Sequence, residues 1–404
     1  MGKLLLFVLV RGKTDYLIAA KNMGYRIAVA EKGYENKHNL ADYVLDVDHT
    51  NTDELIINIV AFNQSHKIDA VLTLNERAVE QTAYVAKVLG LKSLDLRAAK
   101  ICRNKYLTRA TLENSGLDSV QYKLIRNLSE VESAIKSMKL PIIIKPVNLS
   151  GSCAVARINN YKEVSDIINQ LEIERDVESN SGLMQDTIST YWILEEYIDG
   201  YEISVQSITD NGVTEVIAIH DKVVPIEGPK FFEEFVLTPS PRISLDLEEK
   251  IRDMTIKALE VVGFDYGLSH LEFRITSDGP KILELNARIG GGLTNSTVFY
   301  SNGIDMFECY IKMLTGEEYS ASPKSYKPVA VSIVFAPPGI IKEVSGLDEA
   351  AKVPGVKIVK QWLGIGDFVR AATVGYGAGI LAISKDPFEA LNQAKYAGNL
   401  VNFK

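Results

Sequence analysis

Over its first hundred residues the chain alternates short apolar runs with amphipathic stretches. "LLLFVLV" is followed by a polar turn and "DYLIAAKNMG". Then come "YRIAVAE", "YVLDV", "TDELIINIVAFNQSH", "DAVLTL" and "ERAVEQTAYVAKVLG". Uninterrupted apolar runs read as buried strands, and apolar residues at helical spacing read as the helices that cover them. The order is βαβ, which predicts a parallel sheet with helices on both faces up to about residue 95. Ligands of such folds sit beyond the carboxyl ends of strands. Gly12, after the first run, and Asn75 with Glu76, after "DAVLTL", occupy such ends. Glu76 is equally readable as a helix-start carboxylate favoured by the macrodipole. The first loop lacks G-x-G-x-x-G, so a dinucleotide fingerprint is absent.

Further along, "DLRAAKICRNKYLTRATLENSG" predicts one helical run closed by Gly116. Strand-like runs follow ("PIIIKPV", "CAVARI", "YWILEEYI", "YEISVQSI", "VTEVIAI"), with helical "SEVESAIKSM" and "NYKEVSDIINQLEIERD" between them. The polar segment Glu178 to Thr190 reads as a loop. After the helical "DLEEKIRDMTIKALEVVG" come two alternating runs. One puts His270, Glu272 and Arg274 on one face and Leu271, Phe273 and Ile275 on the other. The second separates Glu284, Asn286 and Arg288 from Leu283, Leu285 and Ala287. "TSDGP" joins them, which predicts an antiparallel hairpin with Glu272 near Glu284. The tail beyond about residue 322 holds the strands "VAVSIVFA" and "GILAIS" and the helix "PFEALNQAKYAG".

Composition narrows the class. The 404 residues allow two or three domains. With 46% hydrophobic and 24% charged residues the chain is an ordinary globular one, and a net charge of −8 without a basic cluster argues against nucleic acid. The start, "MGKLLLFVLVRGKTDY", carries one lysine before its apolar run and no small-residue cleavage site; it reads as a buried strand rather than a signal peptide. Nothing approaches a membrane span. Cys102, Cys153 and Cys309 are widely spaced and odd in number, which fits a reducing cytoplasm. The five histidines (His38, His49, His66, His220, His270) have no zinc-type spacing.

The hairpin face has two readings. It is a solvated surface, or it is a site in which Glu272 and Glu284, which repel when side by side, are held by something positive. Asn286 adds a neutral oxygen, and an all-oxygen set suits magnesium sharing its shell with phosphate and water. Other segments bear on the choice. Lys145 ends a very apolar strand just before the Ser150–Gly151–Ser152 turn, whose N–H groups can meet a phosphate; otherwise it snorkels to solvent. "ILEEYIDGYEISV" ends a strand in two carboxylates, turns at Asp199–Gly200 and resumes with Glu202. Such a hinge can hydrogen-bond a planar base through its backbone while a carboxylate reaches sugar hydroxyls.

Taken in order, Lys105 in "RNKYLTRATLENSGL", Lys145 in "IIIKP", the small-residue loop, "LEEYIDGYE", "LEFR" and "LELNARIGGG" resemble the ATP-grasp superfamily across about residues 99 to 320. The resemblance implies an α/β and α+β fold: an ATP-grasp domain over 99–322 with a lid at about 120–200, preceded by a Rossmann-like domain, 1–98, and followed by a small C-terminal α/β subdomain, 323–404. It implies ATP and one or two Mg2+ ions, with Mn2+ as a substitute. Lys105, Lys145 and the loop with Ser150, Gly151 and Ser152 would meet the phosphates. Glu195 with the backbone of Tyr197 and Ile198 would hold adenine, and Glu202 the ribose. Glu272, Glu284 and Asn286 would ligate metal, and Arg288 would steady the reacting group. In many relatives a glycine stands where Ala154 is. The reaction so implied activates a carboxylate as an acyl phosphate for attack by an amine.

Within the superfamily the arrangement looks most like the L-amino acid ligases, which join two amino acids into a dipeptide. "VAVSIVFAPPGIIKEVSG", "GDFV" and "VGYGAGILAIS" are similar to the C-terminal domain of that group. In "FFEEFVLTPSP", Glu233, Pro239 and Ser240 align with the group's pattern near the substrates, but Phe235 and Val236 replace its glycine and histidine, which suggests a more apolar pocket or a different amine. Glu76, Glu233, Arg274 and Gly291 are expected to face the substrates; Arg274 would either receive a substrate carboxylate or pair with a neighbouring glutamate. His220 reads as a strand-end surface residue or a pocket lining, and Cys153 as a small loop residue. A homodimer is expected by analogy. The alternatives are another ATP-grasp ligase with a non-peptide product and a non-catalytic nucleotide-binding module. The intact Glu272, Glu284, Asn286 and Arg288 argue against the latter.

Overall fold

The structure, a computed structural model, describes residues 2–36, 38–117, 120–149, 154–180, 191–224, 231, 233–370 and 375–404. The first strand, β1 (Leu4–Val8), is buried along its whole length. Its alternate residues serve two cores. Leu5 and Phe7 pack with Leu17 and Ala20 of α1 (Thr14–Asn22), whereas Leu4, Leu6 and Val8 pack with Leu55 and Ile59 of α2 (Thr52–Ser65) and Val85 and Ala86 of α3 (Val79–Leu89). Burial on both faces is what an uninterrupted apolar run predicts. With β2 (Arg26–Ala30), β3 (Tyr43–Leu45) and β4 (Ala70–Leu72) it forms an all-parallel sheet in the order β3-β2-β1-β4.

The expected single helical run is two helices, α4 (Leu96–Arg103) and α5 (Lys105–Asn114). Asn104 breaks it: its backbone is extended and its side-chain oxygen accepts from Tyr106 N and Leu107 N at 3.0 and 3.1 Å. Asparagine satisfies a helix start better than a helix interior. A boundary at 98/99 falls inside α4.

A second sheet, antiparallel in the order β5-β8-β6-β7, comprises β5 (Tyr122–Ile125), β6 (Ile142–Pro146), β7 (Ala156–Ile158) and β8 (Trp192–Glu196). The helix Val164–Asn180 covers it through Val164 and Leu171. That helix runs into the segment expected to be a loop from Glu178; residues 181–190 lie outside the described residues.

The third sheet has eight strands, with β9 (Tyr201–Asp210), β10 (Val213–Lys222), β11 (Phe235–Thr238), β12 (Gly267–Thr276), β13 (Gly279–Asn286) and β14 (Val329–Phe335) joined by Tyr376–Ile383 and Val356–Gln361. Its order is β13-β12-β9-β10-β11-β14, then Tyr376–Ile383 and Val356–Gln361. The tail therefore builds on the central sheet: β14 pairs with β11, Val331 opposite Val236, so one continuous sheet crosses the expected boundary at 322/323. One face of β9 and β12 (Ile203, Val205, Leu271, Phe273) packs on Ile251, Ala258 and Leu259 of the helix Leu245–Val262. The opposite face is left for the site. No helix among the described residues is long and apolar enough to cross a membrane.

Candidate active site

Period-two alternation places the polar residues of three neighbouring strands in rows. The β9–β12 and β12–β13 registers align Ser204, Glu272 and Glu284 in one row and Gln206, His270 and Asn286 in the next. The hairpin thus brings Glu272 directly opposite Glu284. A bulge follows: Phe273 pairs with Ile282, so Leu283 has no cross-strand partner. The alternation expected to turn Leu283 away with Leu285 is shifted there. Ile282 and Leu285 are both in the core, and Leu283 joins Glu284 in lining a cavity.

That cavity, of about 790 Å3, is bounded by residues of the two antiparallel sheets and by Gly12–Tyr16 at the start of α1. Ion pairs cross it. Lys105 Nζ lies 3.0 Å from Glu284 and donates to the Leu149 carbonyl at 2.6 Å. Lys145, only 7% exposed, contacts Glu195 at 2.6 Å; the other Glu195 oxygen meets Arg109 Nε at 2.7 Å. Burial opposes ionisation of Glu195, yet Arg109 and Lys145 outweigh it and pull the carboxyl down to about 2. The Glu195 carboxylate, expected at the adenine, is therefore enclosed by two cations and positions Lys145. Tyr197 and Ile198 line the cavity, but the Tyr197 N–H is taken by the Pro141 carbonyl at 3.1 Å.

Lys222, the last residue of β10, meets Glu202, Glu272 at 2.7 Å and Glu233 at 3.2 Å. Burial disfavours its charge, but the three carboxylates raise its pKa well above the ordinary value. Glu202, the expected ribose ligand, has its second oxygen 3.3 Å from Arg274 Nε. Arg274 is not free to receive a substrate carboxylate: it is 5% exposed, and also donates to the Gly200 carbonyl at 3.0 Å and the Tyr197 hydroxyl at 3.3 Å. It ties β12 to the hinge between the two antiparallel sheets. That hinge requires glycine, because Gly200 has φ +119° and a Cβ there would lie 2.1 Å from the Ile275 carbonyl oxygen.

Arg288 lines the cavity, with its Nε 2.7 Å from Glu76 and its Nη1 donating to the Ile289 carbonyl at 2.9 Å. Glu76 also accepts from Arg103 Nη1 at 3.1 Å. Burial works against its ionisation, and Arg288 and Arg103 hold it below the usual carboxylate range. Expected at a substrate, Glu76 is absent from the cavity lining and 4% exposed; it fixes Arg288 from behind. Glu233 and Gly291 do line the cavity. Of the pair Phe235 and Val236, only Val236 does, while Phe235 lies under Lys395. Ser150, Gly151, Ser152 and Cys153 lie outside the described residues. Ala154, just after them, has φ +52°, the left-handed region where glycine is the easier residue.

Arg109, Lys222 and Lys13 were missed in the sequence, and His220, left between a surface and a pocket reading, is a pocket residue. Arg109 stands one helical turn after Lys105, and that spacing was a usable signal. Lys222 ends an apolar strand as Lys145 does. His220 is buried, lines the cavity and pairs through Nδ1 with Thr238 Oγ1; among the described residues its Nε2 has no partner. Burial, then His270 and Lys222, depress its pKa to about 3, so it is a neutral imidazole. Lys13 also faces the cavity.

Glu272, Glu284 and Asn286 all line the cavity. Among the described residues no three His, Cys, Asp or Glu side chains converge as a complete ligand set. Two carboxylates and an amide form an incomplete all-oxygen set, and lysines already answer the charge of both carboxylates. Such donors fit a hard cation that completes its shell with phosphate oxygens and water.

The ATP-grasp domain family matches residues 138–297. The chain thus carries an ATP-grasp domain. Residues 332–404 match L-amino acid ligase C-terminal domain 2. The uncharacterized protein y4rH of Sinorhizobium fredii is 26% identical over 79% of this chain, which spans only 64% of that relative. The alanine–anticapsin ligase of Bacillus subtilis is 25% identical over 78% of this chain and 69% of its own length. The solved L-amino acid ligase from Bacillus licheniformis superposes with a TM-score of 0.84 at 20% identity, covering 100% of this chain and 98% of that one. Phosphoribosylglycinamide synthetase from Anaerococcus prevotii gives 0.74, also at 20% identity, with both chains fully covered.

Proposed function

We propose that this chain uses ATP to activate a carboxylate as an acyl phosphate, that an amine displaces the phosphate, and that both substrates are amino acids. The products are a dipeptide, ADP and phosphate. The observation that carries the reading is one cavity in which the Glu272–Glu284 pair, Asn286 and Arg288 face Lys105 and Lys145. Carboxylate and ATP are both anions, so bringing them together requires such a concentration of positive charge. Lys105 and Lys145 would hold phosphate oxygens, Lys145 set in place by Glu195. The hinge at Tyr197 and Ile198 would seat the base, with Glu202 near the sugar. Glu272, Glu284 and Asn286 would hold Mg2+, which when bound neutralises phosphate charge. Arg288 would stabilise the oxyanion that develops when the amine attacks. The residues 332–404 match, with the alanine–anticapsin ligase relatives, supports amino acids as substrates.

The test is ADP release with Mg2+ and ATP across pairs of the common amino acids, with mass spectrometry of the products. Amino-acid-dependent ADP and a dipeptide mass, both lost in Arg288→Ala, are expected. ATP binding without turnover for any pair would sink the dipeptide assignment.

A further inference from the structure

When two amino acids are joined, their carboxylates have different fates. The donor's is consumed. The acceptor's survives into the product, and inside a half-enclosed cavity it needs a counter-ion that takes no part in the chemistry. Among the described residues the cavity wall carries seven lysine and arginine side chains. Six already have a carboxylate partner: Lys105 has Glu284, Lys145 has Glu195, Lys222 has Glu202, Glu233 and Glu272, Arg274 has Glu202, Arg288 has Glu76, and Lys360 has Asp15 at 2.8 Å.

The seventh is Lys13. Among the described residues its ammonium has no ion-pair partner. It is half-buried at the start of α1, after the turn at Gly12, and no side chain caps that helix end. Burial, with Arg288 second, lowers its pKa to about 8. Asp15, two residues on in the first turn of α1, offsets part of that shift and is itself engaged by Lys360. An ammonium desolvated beside a guanidinium, with no ion-pair partner among the described residues, is relieved by one further anion. An uncapped helix start adds backbone donors on the same side. Gly291, Gly292 and Trp362 line the same cavity as Lys13.

We propose that Lys13 binds the free α-carboxylate of the acceptor amino acid, a reading that rests on the ligase function proposed above. This makes the acceptor a free amino acid, not an amino-acid amide or a simple amine.

The test compares wild type, Lys13→Met and Lys13→Arg, with the acceptor offered as the free amino acid and as its carboxamide. Lys13→Met raises KM for the free amino acid at least about tenfold, the loss of one charge-assisted contact. Its KM for ATP and for the donor stay at the wild-type values, which also reports an intact fold. Lys13→Arg recovers most of the affinity, and the carboxamide is used equally by wild type and Lys13→Met. An unchanged acceptor KM in Lys13→Met overturns the subsite while wild-type dipeptide formation keeps the ligase reading. A raised ATP KM in its place assigns Lys13 to phosphate and overturns the subsite as well. Absence of dipeptide from wild type with every pair overturns the ligase reading and this subsite with it.

Discussion

Replacing Glu76 with glutamine separates a positioning role from substrate contact. The side chain is 4% exposed, 2.7 Å from Arg288 Nε and 3.1 Å from Arg103 Nη1. Glu76→Gln conserves volume but removes the charge that both guanidinium groups face. Breaking a buried ion pair by neutralising one partner costs about 3–5 kcal/mol. The glutamine retains one oxygen acceptor and the Arg288 side chain is 16% exposed, so the lower end, about 3 kcal/mol, is expected. The kinetic effect comes through Arg288: a guanidinium displaced from the developing oxyanion forfeits stabilisation worth about 10²–10³ in kcat. The assays are denaturant unfolding followed by tryptophan fluorescence and steady-state ADP release at saturating substrates. A lowered unfolding midpoint with kcat reduced at least about a hundredfold and KM for ATP unchanged is the expected pattern. A kcat within a factor of about three of wild type, accompanied by a raised amino-acid KM, would refute it. Glu76 would then be a substrate contact.

Three further outcomes follow from the geometry. Chelation with EDTA is expected to abolish ADP release and Mg2+ to restore it, and Glu284→Gln should raise the half-saturating Mg2+ concentration about tenfold; an unchanged Mg2+ titration would remove Glu284 from the metal set. His220 has its folded pKa depressed to about 3 against an ordinary 6.5, so the unfolded chain takes up a proton that the native one refuses. Its stabilising contribution is full above about 6.5 and is lost as pH falls toward 3, by at most about 5 kcal/mol. Thermal unfolding against pH should therefore slope less steeply over that window in His220→Asn, and identical slopes would contradict the assignment. Gly200→Ala places a Cβ against the Ile275 carbonyl at a left-handed φ and should destabilise by at least about 2 kcal/mol in chemical denaturation; a neutral effect would mean the hinge relaxes easily.

Local periodicity determined much of this protein. The uninterrupted apolar run of β1 is legible as a doubly covered parallel strand. Period-two alternation in β12 and β13, joined by a short polar turn, is enough to set Glu272 against Glu284, because a hairpin's register follows from its own turn. A lysine at the end of an apolar strand, such as Lys145, announces a nearby anion for the same local reason. Tertiary structure decided the rest. No pattern near Lys222 reveals that β9 and β12 will bring Glu202 and Glu272 to it, since pairing between distant strands depends on contacts the sequence does not order locally. The bulge at Leu283 shifts the alternation only once β12 and β13 are paired. Glu76 became a support for Arg288, Glu195 a clamp on Lys145, and Arg274 a tie to the hinge. Each carboxylate, once buried, had to find a cation, and which cation lay within reach was settled by the packing of the two antiparallel sheets and the start of α1 around one cavity. Lys13 stands out for the converse reason: among the described residues, packing supplied every other cavity cation with a carboxylate ion pair and left this one lining the cavity without one.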